Sequence, residues 1–135
     1  MMFTSEIKVR VRYSETDRMG YVYYGNYATY FEVARVEALR ELGITYKEME
    51  DDGILLSVYK YEVKFHKPLF YDDELTIKTF IYSMPEARII FNYEITNQKR
   101  ELVNTAQTTL VFIDRKTSKP CYAPQHVIDA LKEYF

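Results

Sequence analysis

The segment Tyr13-Ser14-Glu15-Thr16-Asp17-Arg18-Met19-Gly20-Tyr21-Val22-Tyr23-Tyr24-Gly25-Asn26-Tyr27 decides how the chain is read. It joins a strand-like start to a long apolar helix through one polar turn. Asp17 sits in that turn, and Gly25-Asn26 opens the helical run. The first N–H groups of a helix have no acceptor within it, and the positive end of the helix dipole lies there. Such a place can hold a developing oxyanion. A carboxylate beside it can attack a carbonyl or activate a water. One short segment therefore holds the equipment for acyl transfer.

Working outward, Val9, Val11 and Tyr13 alternate with Lys8, Arg10 and Arg12, which predicts a first strand. From Tyr27 the period becomes helical. At about 100° per residue, Tyr27, Tyr30, Phe31, Ala34, Ala38 and Leu42 share one face. Asn26 is the predicted N-cap, and Arg40 and Gly43 suit the C-terminal end. Val33, Val36 and Leu39 lie off that face, which predicts a helix covered on more than one side.

A polar segment, Thr45 to Gly53, precedes alternating runs at 59–66, 75–82 and 89–96 and a long last strand at 102–114. Turn signals separate them at Pro68 to Asp73, Ser83 to Glu86 and Asn97 to Arg100. Pro124 followed by Val127, Ile128, Leu131 and Phe135 predicts a short closing helix. The order is that of an α+β fold: one antiparallel sheet with the long helix on one face. Without repeat or linker, residues 1–135 read as one domain.

Composition narrows the function classes. The chain has 135 residues, 47% of them apolar, which is enough for one ordinary core. Lys plus Arg (18) nearly balances Asp plus Glu (20), so net charge suggests neither nucleic acid nor an anionic membrane as partner. Cys121 is the sole cysteine and excludes an intrachain disulfide or a cysteine metal knuckle. No run approaches the ~18 apolar residues of a membrane helix, and a soluble cytoplasmic protein is expected. The 14 Tyr and 8 Phe, with no Trp, suit half-buried sheet faces and subunit contacts. His66 and His126 show no ligand spacing, so neither a metal nor a cofactor is expected. A Gly-x-Ser-x-Gly elbow and a phosphate-binding glycine loop are both missing.

The order Tyr-x-x-x-Asp-x-x-Gly, aromatic run, Asn-Tyr, then Phe31-Glu32-Val33-Ala34-Arg35 resembles the hotdog-fold acyl-CoA thioesterases of the 4-hydroxybenzoyl-CoA thioesterase type. Among them it looks most like the small bacterial branch associated with the Tol-Pal region. The resemblance is strongest from Val11 to Gly43. It continues through Val63 to Asp73, weakens over Arg88 to Tyr93, and resumes at Val111-Phe112-Ile113-Asp114 and Lys119-Pro120.

The resemblance implies a hotdog fold, an antiparallel sheet wrapped around a long central helix. It implies hydrolysis of an acyl-CoA to free acid and CoA, and a homodimer or homotetramer with sites at the interface. It gives Asp17 the role of catalytic carboxylate, as nucleophile or as base for water, and the backbone N–H of Tyr24 that of polarising the thioester carbonyl. Tyr13 matches a tyrosine near the carboxylate. Gly20, Gly25 and Asn26 are expected against the substrate. Arg88, with Lys64, Lys67, Arg115 and Lys116, is expected to meet the CoA phosphates through charge-assisted contacts. The branch often has histidine where this chain has Tyr24. A phenol is a poor base near neutrality, but the polarising donor is a backbone group, so the chemistry should survive.

Two alternatives stand beside this reading: hydrolysis of acyl groups from acyl carrier protein, and a non-catalytic acyl-CoA-binding hotdog module. Asp17 argues against the second, since a pure binding site gains nothing from a carboxylate near an electron-rich thioester.

Overall fold

The computed structural model describes residues 1–135. Strand β1 (Phe3–Arg10) is followed by the long helix α1 (Tyr27–Glu41) and the short helix α2 (Tyr46–Asp51). Then come β2 (Ile54–Phe65), β3 (Glu74–Ile81), β4 (Arg88–Thr96), β5 (Leu102–Asp114), the two-residue β6 (Lys119–Pro120) and α3 (Gln125–Leu131). The sheet order is β1-β3-β4-β5-β2, every pair antiparallel, with β6 beside the end of β5. This is the α+β hotdog arrangement the resemblance implies.

Period-2 alternation puts one side of each strand on α1. Ile77, Ile81, Ile89, Phe91, Tyr93, Ile95, Leu110 and Phe112 are all buried there. Tyr27, Tyr30, Phe31, Ala34 and Ala38 bury the helix face facing them, and Phe31 meets Tyr93 at 4.6 Å between ring centroids. The helical stripe read from the sequence is thus the buried one.

Several local expectations change. The first strand runs earlier than the Val9–Tyr13 alternation suggests, because Val11 leaves the β1–β3 ladder. Its N–H bonds Asp73 O at 2.9 Å, and its carbonyl accepts from Asp72 N at 3.0 Å. Tyr13 therefore lies outside the sheet, in a 3-10 turn (Tyr13–Glu15). The expectation of cover beyond the stripe holds in part: of the residues off it, Leu39 is buried and Val36 half-buried, but Val33 is exposed. The polar segment before β2 contains α2, whose Thr45 Oγ1 accepts the Glu48 N–H at 3.1 Å as a side-chain cap. β2 begins at Ile54. A register shift between Val58 and Lys60 interrupts its alternation, and most of its residues are half-exposed or exposed. Arg35, in the quoted helix motif, is buried, its Nε donating to Tyr46 OH at 3.0 Å.

Candidate active site

After Val11 the chain folds into a small hairpin that docks on the start of α1. Asp17 N donates to Tyr21 O at 2.8 Å, Gly20 N to Asp17 O at 3.0 Å, and Tyr23 N to Glu15 O at 2.8 Å. Gly20 has φ +81°, a left-handed conformation in which a side chain is strained, so glycine is required there by the turn itself. Val22 N bonds Leu69 O at 2.8 Å, which ties the hairpin to the Pro68–Asp73 loop.

The Asp17 side chain is exposed. Its Oδ1 accepts the Met19 N–H at 2.9 Å, the local bond typical of a turn aspartate, while Oδ2 has no partner in the chain. A carboxylate held by one oxygen and free at the other is oriented and still available.

Asn26 does not cap α1, contrary to the sequence expectation. A 3-10 turn (Tyr24–Asn26) runs straight into the helix, Asn26 has helical backbone angles, and its Nδ2 donates instead to Glu15 O at 2.8 Å. Asn26 thus fastens the carboxylate hairpin to the helix start. The N–H groups of Tyr24 and Gly25, at the head of this continuous turn and helix, have no acceptor in the chain. They point to the same use as any free helix-start donors, which is to receive negative charge.

Gly25 is needed for close packing: a Cβ there would stand 2.6 Å from Tyr23 Cε2. The Tyr23 and Tyr24 rings lie 4.7 Å apart, and the Tyr24 hydroxyl pushes the Tyr23 phenol up, further from use as a base. Beside Tyr24 opens a mainly apolar groove of about 300 Å³, lined by residues that include Tyr21, Tyr27, Phe65, His66 and Pro68. Burial pushes Tyr27 up to about 12, so it stays a neutral wall of that groove.

Of the remaining expected residues, Lys67 lines the groove and pairs with Glu101, whereas Tyr13 and Arg88 do not join this cluster within one chain. Tyr13 is exposed, its ring edge-on to Tyr71 at 5.5 Å, and no hydrogen bond links it to Asp17. Arg88 lies over the Tyr59 ring, 4.5 Å from its centroid. Its register partner on β5 is Val111, whereas Phe65, in the groove, pairs with Asn104. At ~3.3 Å per residue that separates Arg88 from the groove by roughly 23 Å along the strand.

Glu15 is the residue that sequence reasoning passed over. It is buried, and its carboxylate accepts from Arg12 N (2.9 Å), Arg12 Nε (3.1 Å), Arg12 Nη2 (2.7 Å) and Tyr30 OH (2.8 Å). Burial pushes this carboxyl up, but the Arg12 side chain, the Arg12 N–H and the Tyr30 hydroxyl outweigh it and hold Glu15 below the usual carboxylate range. The only sequence signal was an acidic residue two before Asp17, and burial cannot be read from that.

Residues 11–131 match the thioesterase-like superfamily. The chain belongs to that family. YneP of Bacillus subtilis, which carries a provisional acyl-CoA thioesterase name, is 34% identical over 119 residues, 88% of this chain and 86% of YneP. The acyl-CoA thioester hydrolase YbgC of Escherichia coli is 32% identical over 125 residues, 93% of each chain. Among solved structures, the DHNA-CoA thioesterase of Staphylococcus aureus superposes with a TM-score of 0.89 at 38% identity, covering 97% of this chain and 88% of that one. The expectation of a hotdog-fold thioester hydrolase akin to the small bacterial enzymes is met. No helix of this thioesterase is long and apolar enough to cross a membrane.

Proposed function

We propose that this thioesterase hydrolyses acyl-CoA at the groove beside Tyr24, between the hairpin that carries Asp17 and the Phe65–Pro68 segment, as one hotdog domain needing neither metal nor cofactor. The observation that carries the proposal is the juxtaposition, in one hydrogen-bonded unit, of a carboxylate with a free oxygen and two helix-start N–H groups without acceptors. The acyl group lies in the apolar groove, with the thioester carbonyl directed at the Tyr24 N–H.

Two routes give the same products. In one, Asp17 takes a proton from water as the water oxygen bonds to the thioester carbon; the oxyanion rests on the Tyr24 and Gly25 N–H groups and collapses, and the departing CoA thiolate takes up that proton from Asp17. In the other, an Asp17 oxygen attacks the carbon itself, the thiolate leaves, and water opens the resulting mixed anhydride. Both consume one water and release free acid and CoA. Gly20 shapes the Asp17 turn and Asn26 ties it to the helix start, while Tyr13 lies against Tyr71 outside this cluster.

A homodimer completes the reading. One edge of the twelve-residue β2 pairs with β5 and the other has no strand partner. Val58 and Phe65 are each 50% exposed on that strand, and Val33 is exposed on α1. A long apolar edge of this kind is normally covered. Pairing two copies of β2 antiparallel about a two-fold axis covers it, and turns the partner subunit's Arg88 toward the Phe65 end to meet CoA phosphates. A dimer of such dimers would make the tetramer. The near-neutral charge and single cysteine agree with a cytoplasmic site of action.

The test is release of free thiol from a panel of CoA thioesters, from short acyl to aromatic, alongside matched acyl carrier protein thioesters, with mass determined by light scattering. Turnover of at least one CoA thioester by a dimer or larger assembly is expected. Turnover of carrier-protein thioesters alone would move the substrate to the protein-bound class. Binding without turnover would make this a binding module, and a stable micromolar monomer would remove the shared site.

A further inference from the structure

We infer that Glu15 is a positioning residue for the hydrolysis: it sets the place of Asp17 relative to the helix-start N–H groups. The inference rests on the reaction proposed above. It draws on the contacts of Glu15, none of which touches the Asp17 carboxylate or the Tyr24 and Gly25 N–H groups.

Glu15 is the point at which three parts of the site are joined. Through its carboxylate it reaches Tyr30 on the buried face of α1 (2.8 Å) and both the backbone and guanidinium of Arg12, just past the end of β1. Through its carbonyl it receives Asn26 Nδ2 from the turn that opens the helix and Tyr23 N from the return limb of the hairpin, each at 2.8 Å. Asp17 follows two residues on, and its own N–H is held by Tyr21 in the same hairpin. The helix, the strand end and the hairpin therefore meet at one residue, and the hairpin that carries Asp17 cannot shift against α1 without breaking at least one of these bonds.

Their chemistry fits the task. Four N–H or O–H donors converge on one ionised carboxylate, and charge-assisted bonds are the stronger kind. Tyr30 stays protonated, because burial, and then Glu15 itself, raise its phenol far above its ordinary range, and it donates to the ionised carboxylate, which can only accept. Arg12 covers the outer side while remaining exposed. The result is a rigid support under a short, exposed catalytic turn. Displacement by about 1 Å at a reacting group can cost on the order of 100-fold in rate, and such a loss appears in kcat when binding of the substrate is otherwise intact.

The experiment uses the full-length protein with benzoyl-CoA as probe, plus whichever CoA thioester the panel shows to be turned over fastest. Glu15→Gln keeps the size but brings an amide N–H toward Arg12. It should remain folded by circular dichroism and lower kcat by about 10- to 100-fold, with KM changed less than about 3-fold. Tyr30→Phe, which cuts only the tie to α1, should lower kcat by about 3- to 10-fold. Because both substitutions break the same support, the double variant should fall little below Glu15→Gln alone.

A Glu15→Gln protein with lowered melting temperature but wild-type kcat would overturn the inference, as would fully multiplicative losses in the double variant. If Glu15→Gln does not fold, Tyr30→Phe with wild-type kcat overturns it equally. Failure of the underlying reaction is distinguishable: there, wild type turns over no CoA thioester, or Asp17→Asn retains wild-type turnover whatever Glu15 does.

Discussion

Two carboxylates stand two residues apart in the same hairpin segment and meet opposite fates. Glu15 is buried under four donors; Asp17 is exposed, holds one backbone N–H, and keeps an oxygen free. A carboxylate surrounded by donors is kept ionised and weakly nucleophilic, which suits a support. One with a free oxygen beside unpaired N–H groups is available to react. The same residue chemistry thus serves stability at one position and is free for the proposed reaction at the other, and the surroundings make the division.

The largest effect expected on stability is at Glu15. Its folded carboxyl lies below the usual range, so its contribution is fully present above the unfolded value near pH 4.5 and is lost as pH falls through the lower folded value. Glu15→Gln should lower stability at pH 7 by about 1–3 kcal/mol, the range for disturbing a buried charged hydrogen-bond set. It should also flatten the loss of stability below about pH 4.5, as followed by denaturant titration at several pH values. An unchanged acid limb would mean that Glu15 is not held as described.

A smaller effect sharpens the contrast between satisfied and unsatisfied burial. Asn104 is fully buried on β5, yet neither its Nδ2 nor its Oδ1 has a partner. Asn104→Val removes that unpaired amide and suits a strand, and should raise stability by about 1 kcal/mol in the same titration. A loss of similar size would show that the amide is satisfied in solution.

The smallest effect is expected at Tyr24. Its ring is exposed and its proposed contribution is the backbone N–H, so Tyr24→Phe should change turnover by less than about 3-fold. A collapse of activity in a folded Tyr24→Phe protein would transfer the role to the phenol.

Much of this was legible in the sequence. The helical stripe from Tyr27 to Leu42 and the strand at 102–114 follow from periodicity, since core burial imposes it directly. Other features depend on partners far along the chain. Glu15 is buried by Tyr30 and Arg12 acting together, and Asn26 is drawn from its cap position by the Glu15 carbonyl. The alternation in 59–66 reads like that of a half-buried strand, but β2 is an edge with a register shift, and no local signal separates the two. Only α2 left a usable trace that went unread: Thr45 with Glu48 three residues on is the spacing of a capping box.

The central claim, that Asp17 reacts and does not merely hold its turn, is tested most directly by Asp17→Asn, with turnover of the CoA thioester that wild type hydrolyses fastest and thermal melting measured on one preparation. Asparagine retains an oxygen for the Met19 N–H but can neither attack nor take a proton. Turnover should fall by about 1,000-fold or more while the melting temperature stays within about 2 °C of wild type, as for an exposed side chain. Turnover near wild type with an unchanged melting temperature would contradict the account and leave Asp17 a turn residue only.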